Sequence, residues 1–230
     1  MLLLPAAALA QTLTATDFVK YYDYEGSLET AGTVTVTTDG TSQTLTYSLP
    51  TGTDVGCAAG AGSADNSCGV HIHSGMTCTD DAGGHWYDDE TITEDPWASI
   101  TYFVGSGTTN SVDTGLAASD LVGRALIIHD YSGGRIACAL LTVTVDWKIP
   151  TEPQALSVAA GTTVRFTWSS THNVYEVPDA TAFDDCDFSS DTEVASSSVQ
   201  TVDVAAPDAP TTKYYVCEVG SHCDMGQKIA

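Results

Sequence analysis

The stretch GTVTVTTDGTSQTLTYSL (32–49) decides the fold class. On either side of Asp39-Gly40, β-branched or apolar residues alternate with polar ones, and a period of two sorts side chains onto the two faces of a strand. Threonine, valine and tyrosine suit a pleated, half-buried surface, and Asp-Gly marks a tight turn between paired strands. The same texture recurs in ASITYFV, RALIIHD, IACALLTVTVDW, QALSVAAGTTVRFTW and TKYYVCEV, while helix signals are nearly absent. The chain therefore reads as all-β, with functional residues in loops between strands.

Composition changes near WKIPTEP (147–153), where Pro150 and Pro153 predict a short, stiff linker. It separates residues 11–147 from residues 148–230, two unlike β domains with no internal repeat. The start, MLLLPAAALAQ, is an apolar run ending in Ala8-Leu9-Ala10, so residues 1–10 read as a signal peptide. No other run is long and apolar enough to cross a bilayer. Export to the medium or cell surface agrees with seven cysteines, since disulfides persist outside the reducing cytosol. With 30 acidic residues against 7 basic ones, a net charge of -23 makes nucleic acid and anionic membranes poor partners. Beyond that it implies solubility or a salty medium, and names no function.

The six histidines are more informative. His71 and His73, two apart in GVHIHSG, point to one strand face and can reach one metal. His85 follows in the glycine-rich turn AGGHWY, and His129 ends the strand RALIIHD. In the second part the chain offers His172 in STHNVYEV, then Cys217 and His222 in CEVGSHCDMGQK. Two imidazoles and a thiolate with a weak axial ligand are the needs of a blue-copper site.

GVHIHSG, GGH and LIIHDYSGGRIAC resemble the copper/zinc superoxide dismutases, over roughly Asp17 to Trp147. The resemblance implies a Greek-key β-barrel in which His71, His73, His85 and His129 hold copper. It makes His85 the ligand that would bridge to zinc, and Arg135 the residue that guides superoxide, so that Arg135 and His85 are the catalytic residues. It also implies a Cys78–Cys138 disulfide. No histidine lies between His85 and His129, so the zinc site is missing, as in the copper-only branch of that family. A more open copper is expected to follow.

The second part resembles the phytocyanins, and most closely their stellacyanin type. QALSVAAGTTVRFTWSSTHNVYEV leads to a first histidine, FDDCDF supplies a cysteine fourteen residues later, and CEVGSHCDMGQK closes the set. The resemblance implies a cupredoxin β-sandwich, a type 1 copper on His172, Cys217 and His222 with Gln227 axial, a Cys186–Cys223 disulfide, and a further strand beyond Ala230. Met225 competes for the axial place. The family's axial residue lies ten beyond the cysteine, at Gln227, whereas Met225 lies eight beyond. Cys57 and Cys68 bracket a small loop and can pair locally, although either could exchange with Cys78; Cys217 is left as the metal thiolate.

Together these readings describe an exported protein with two coppers per chain and no zinc. It would dismutate superoxide at the first copper and pass single electrons to a redox partner at the second. The alternative is a copper carrier or cell-surface protein without catalysis. The two differ on Arg135 and on access to the copper.

Overall fold

The computed structural model describes residues 12–230; the expected signal peptide lies outside them. The described chain is all-β. Strands β1 (Thr12–Ala15), β2 (Val19–Lys20), β3 (Ala31–Asp39), β4 (Ser42–Thr51) and β5 (Val70–His73) come first. They are followed by β6 (Gly105–Thr108), β7 (Val112–Asp113), β8 (Ala125–His129), β9 (Arg135–Leu140) and β10 (Thr142–Asp146). Then come β11 (Thr163–Thr167), β12 (Val174–Val177), β13 (Thr192–Ala195), β14 (Thr201–Ala205), β15 (Tyr214–Val216) and β16 (Lys228–Ile229). Two helices of a turn or so, α1 (Ala118–Leu121) and α2 (Ala180–Asp185), interrupt them.

Two compact units divide at Thr142/Val143, upstream of the expected linker. The reason is pairing: Val143–Asp146 lie parallel to Val164–Thr167 of β11 and so belong to the second unit. The proline-containing segment is no free linker either. Thr151 N donates to Gly226 O, Leu156 N to Ala230 O, and Ala230 N to Gln154 O, which lays the segment along the C-terminal strand.

In the first unit, β3 and β4 form the hairpin read from residues 32–49, flanked by β1 on one side and by β6 and β7 on the other. Asp39 pairs with Ser42, so the two-residue turn is Gly40-Thr41, one place later than expected, with Gly40 at φ 61°. Glycine meets that left-handed conformation without a Cβ penalty. A second sheet runs β2-β9-β8-β5. Strands β5 and β8 are buried on both faces, which explains the unbroken apolar run ALII, whereas β2 is exposed at the edge. Val70, Ile72, Leu126 and Ile128 fill one side; Ala125, Ile127 and Cys138 on the other are covered by Tyr21, Ala82 and Cys78. The Cys78–Cys138 disulfide fastens that cover to β9.

In the second unit β11 lies between β10 and β14, and a separate sheet runs β13-β12-β15-β16. Helix α2 is started by Asp179, whose carboxylate accepts from the backbone N–H of Thr181 and Ala182. It ends at Cys186 in the left-handed conformation, which carries that residue to its disulfide with Cys223.

Ile127 sits directly across from both His71 and Cys138 and is fully buried. Ile127→Ala should cost about 2–5 kcal/mol of stability through lost burial and a residual cavity. The drop in urea midpoint of the first unit's transition measures it.

Candidate metal centres

The first unit gathers four imidazoles from three places. His71 and His73 stand on one face of β5, and His73 forms an isolated bridge with His85, which brings the glycine-rich turn alongside. His129 follows a register shift in the β8–β9 pairing, where Ile136 is left without a partner, and stands opposite Arg135. One ligand nitrogen from each of the four lies within 4.8 Å of the others. Ring centroids of His71 and His85 are 4.4 Å apart, and those of His71 and His129 4.9 Å.

Backbone carbonyls set the direction of three rings. His71 Nε2–H donates to Ile100 O at 2.8 Å, His73 Nδ1–H to Gly83 O at 3.0 Å, and His129 Nδ1–H to Gly133 O at 3.0 Å. The opposite nitrogens, His71 Nδ1, His73 Nε2 and His129 Nε2, are buried and have no hydrogen-bond partner among the described residues. Buried polar atoms are seldom left so, because the lost hydration is not regained. Burial also holds these imidazoles neutral: the pKa of His73 falls to about 3 and that of His129 to about 4, and burial together with its histidine neighbours holds His71 well below the usual imidazole value. Neutral imidazoles with converging lone pairs fit a copper ion.

The fourth ring is fixed by a carboxylate that the sequence reading missed. His85 Nδ1 lies 2.6 Å from Asp95 Oδ2, and Asp95 Oδ1 accepts from Trp97 N, capping the turn at Pro96–Ser99. Asp95-Pro96 was a local signal for a capped turn; that its second oxygen reaches His85 needs the fold. Tyr102, fully buried, donates to His129 O at 2.9 Å and secures the strand end. Gly133, at φ 87°, has no room for a Cβ, which would fall 2.0 Å from Asp65 O.

Arg135 lies beside this cluster and is partly exposed. Its Nη2 donates to Gly83 O at 2.7 Å, the same carbonyl that holds His73. Its Nη1 donates to Tyr21 Oη at 2.6 Å and to Asp81 Oδ1 at 2.9 Å. Arg135 is thus ion-paired with Asp81. Cys57–Cys68 and Cys78–Cys138 are both formed.

In the second unit His172, Cys217 and His222 converge within the same limit. Cys217 Sγ lies 3.4 Å from His222 Nδ1 and 4.0 Å from His172 Nδ1, and the two Nδ1 atoms are 3.1 Å apart. Cys217 is buried and free of any disulfide; burial pushes its thiol pKa up, so a cation is what would make it a thiolate. Gln227 is fully buried. Its Nε2 donates to Trp147 O at 3.1 Å, and its Oε1 has no partner among the described residues. Met225, by contrast, is 49% exposed. Two further residues brace the loop: Asn173 Oδ1 accepts from Glu218 N, and Trp147 Nε1 donates to Asn173 O. His172 is lowered in pKa by burial and by His222, with the amide of Gln227 acting the other way.

The depressed histidines carry a stability consequence. Unfolded, His73 and His129 take up protons near pH 6.5; folded, they resist until about 3 and 4. Between these values the unfolded chain binds more protons, so stability is complete above 6.5 and is lost as pH falls through the folded pKa values. The metal-free protein should melt more than about 5 °C lower at pH 4.5 than at pH 7.5. In His73→Gln/His129→Gln part of that fall should vanish, as read by paired thermal melts.

Residues 145–227 match the family model of the plastocyanin-like domain. The cucumber peeling cupredoxin of Cucumis sativus is 36% identical over 93 residues, covering 36% of this chain and 66% of that protein. The family match lies wholly in the unit that carries His172, Cys217, His222 and Gln227. The C-terminal part of the chain is therefore a plastocyanin-like domain of the cupredoxin type.

Proposed function

We propose that this is an exported two-copper protein that dismutates superoxide at His71, His73, His85 and His129 and transfers single electrons through a type 1 copper at His172, Cys217, His222 and Gln227. One observation carries the first half: three buried imidazole nitrogens without partners, aimed at one point beside a fourth ring. A copper held by these four histidines would supply the one-electron couple that converts two superoxides, with two protons, into dioxygen and hydrogen peroxide. The chain's own part is to orient and to attract. Carbonyls of Ile100, Gly83 and Gly133 fix the donor nitrogens, and the guanidinium of Arg135, always charged, holds an anion close by. Asp95 occupies His85 Nδ1, the atom that would otherwise reach a second metal, which supports a copper site without zinc.

The second half rests on the family match together with the buried Cys217 and the partnerless Oε1 of Gln227. An amide oxygen favours the oxidised ion more than a thioether would, so a low reduction potential is expected. Three disulfides support an oxidising compartment. The copper-carrier reading is favoured by one observation, the ion pair of Arg135 with Asp81, which offsets the charge that should draw superoxide.

The oxidised, copper-loaded protein should be blue, and Cys217→Ser should abolish the colour without removing the disulfide of Cys186; a colourless protein of confirmed copper content refutes the type 1 assignment. Metal analysis after reconstitution with both ions should give two coppers per chain and negligible zinc. Superoxide assays test the other half. Activity should rise with added salt, because screening weakens repulsion by the acidic surface beyond about 10 Å at 0.1 M, and Arg135→Ala should lower the whole curve roughly tenfold. A loaded protein no more active than free copper supports the carrier.

A further inference from the structure

Three of the five N–H donors of Arg135 are already engaged, by Tyr21, Asp81 and Gly83. Gly83 O binds both this guanidinium and His73, so the positive charge is fixed relative to the histidine cluster. Its field reaches the cluster, where it helps to keep both His73 and His129 neutral. Asp81 takes part in the same arrangement from the solvent side: its Oδ1 accepts from Arg135 Nη1 at 2.9 Å and from Tyr21 Oη at 3.0 Å, and its own charge is favoured first by the backbone N–H of Gly83 and then by Tyr21 and Arg135. Tyr21 Oη in turn accepts from Ala82 N, so neither the phenol nor the guanidinium is free to swing away. A negative charge therefore stands against the cation that adjoins the candidate centre.

We propose that Asp81 is a specificity-setting residue, a counter-charge that weakens the pull of Arg135 on small anions while the hydrogen-bonded frame keeps the guanidinium in place. The inference rests on the reading of the four histidines as a copper site that meets an anion. It distinguishes charge from position. Asn in place of Asp81 keeps an oxygen acceptor for Arg135 and Tyr21 and removes only the charge.

Azide, a small anion bearing the charge of superoxide, serves as the probe on the copper-loaded full chain, followed through its charge-transfer band to copper. Asp81→Asn should lower the azide Kd about threefold, the scale of a partly exposed charge pair. Asp23→Asn removes the same charge from the same neighbourhood, where both carboxylates act on Tyr22, without touching Arg135, and should change the Kd far less. Arg135→Ala should weaken azide binding, and adding Asp81→Asn to it should bring no further change. An unchanged Kd in Asp81→Asn overturns the proposal. So does an equal gain in Asp23→Asn, or a gain that survives the loss of Arg135. Failure of the wild type to give any azide band is a different result: it overturns the copper reading itself.

Discussion

Each site depends on a division of labour within a side chain: one polar atom is tied to the protein so that the other has nowhere to go but the centre. For three of the four rings in the first unit the ties are backbone carbonyls, which cannot ionise and which the sheet and its covering loop hold still; the fourth, His85, is tied to the Asp95 carboxylate. Gly83 lies in the covering loop and Gly133 in a turn; Ile100 ends the turn capped by Asp95. Because each ring donates from one nitrogen, the other is left as a lone pair, and burial prevents water from capping it with a proton. The cost of three partnerless buried nitrogens is borne by a sheet packed on both faces and fastened by Cys78–Cys138.

The cupredoxin-type unit reaches the same end with an amide and a thiol. Trp147 O fixes Gln227 through its NH₂ group, which decides that the oxygen faces inward. Cys217 N donates to Gln227 O, so the backbone of one candidate ligand holds the backbone of another. Asn173, next to His172, ties Glu218, next to Cys217, at 2.8 Å. A centre braced in this way is positioned before any ion arrives, as a site must be if its geometry is to survive a change of charge.

Period-two alternation made the strands and the shared face of His71 and His73 legible, since both are properties of neighbouring residues. Where the reading failed, the cause was a contact distant in sequence. The prolines at 150 and 153 look like a linker by composition, yet Thr151 N finds Gly226 O. Asp39-Gly40 announced a turn, but the pairing of Asp39 with Ser42 set its position. Arg135 was visible as part of a motif, whereas its partner Asp81 lies 54 residues away in a loop without periodicity. Asp95 stood beside a proline that advertised a cap; nothing local connects it with a histidine ten residues earlier. The candidate ligands were legible because the motifs that resemble known families place them; the groups that aim them were not, because carbonyls have no letter in a sequence.

Electrostatics then joins the two scales. A chain of net charge -23 repels an approaching anion at long range, and salt screens that repulsion. Within a few ångströms the balance belongs to Arg135, whose charge is divided between the cluster and Asp81. Far-field and near-field effects would respond to different changes: on the proposed reading, surface carboxylates set how often an anion arrives, whereas the Arg135–Asp81 pair sets how long it stays. Were Arg135 only a surface ion pair, nothing would require Gly83 O to bind both it and His73. That shared carbonyl makes the guanidinium part of the site's framework, and it leaves Asp81 as the member of the cluster that can vary in charge without moving a candidate ligand.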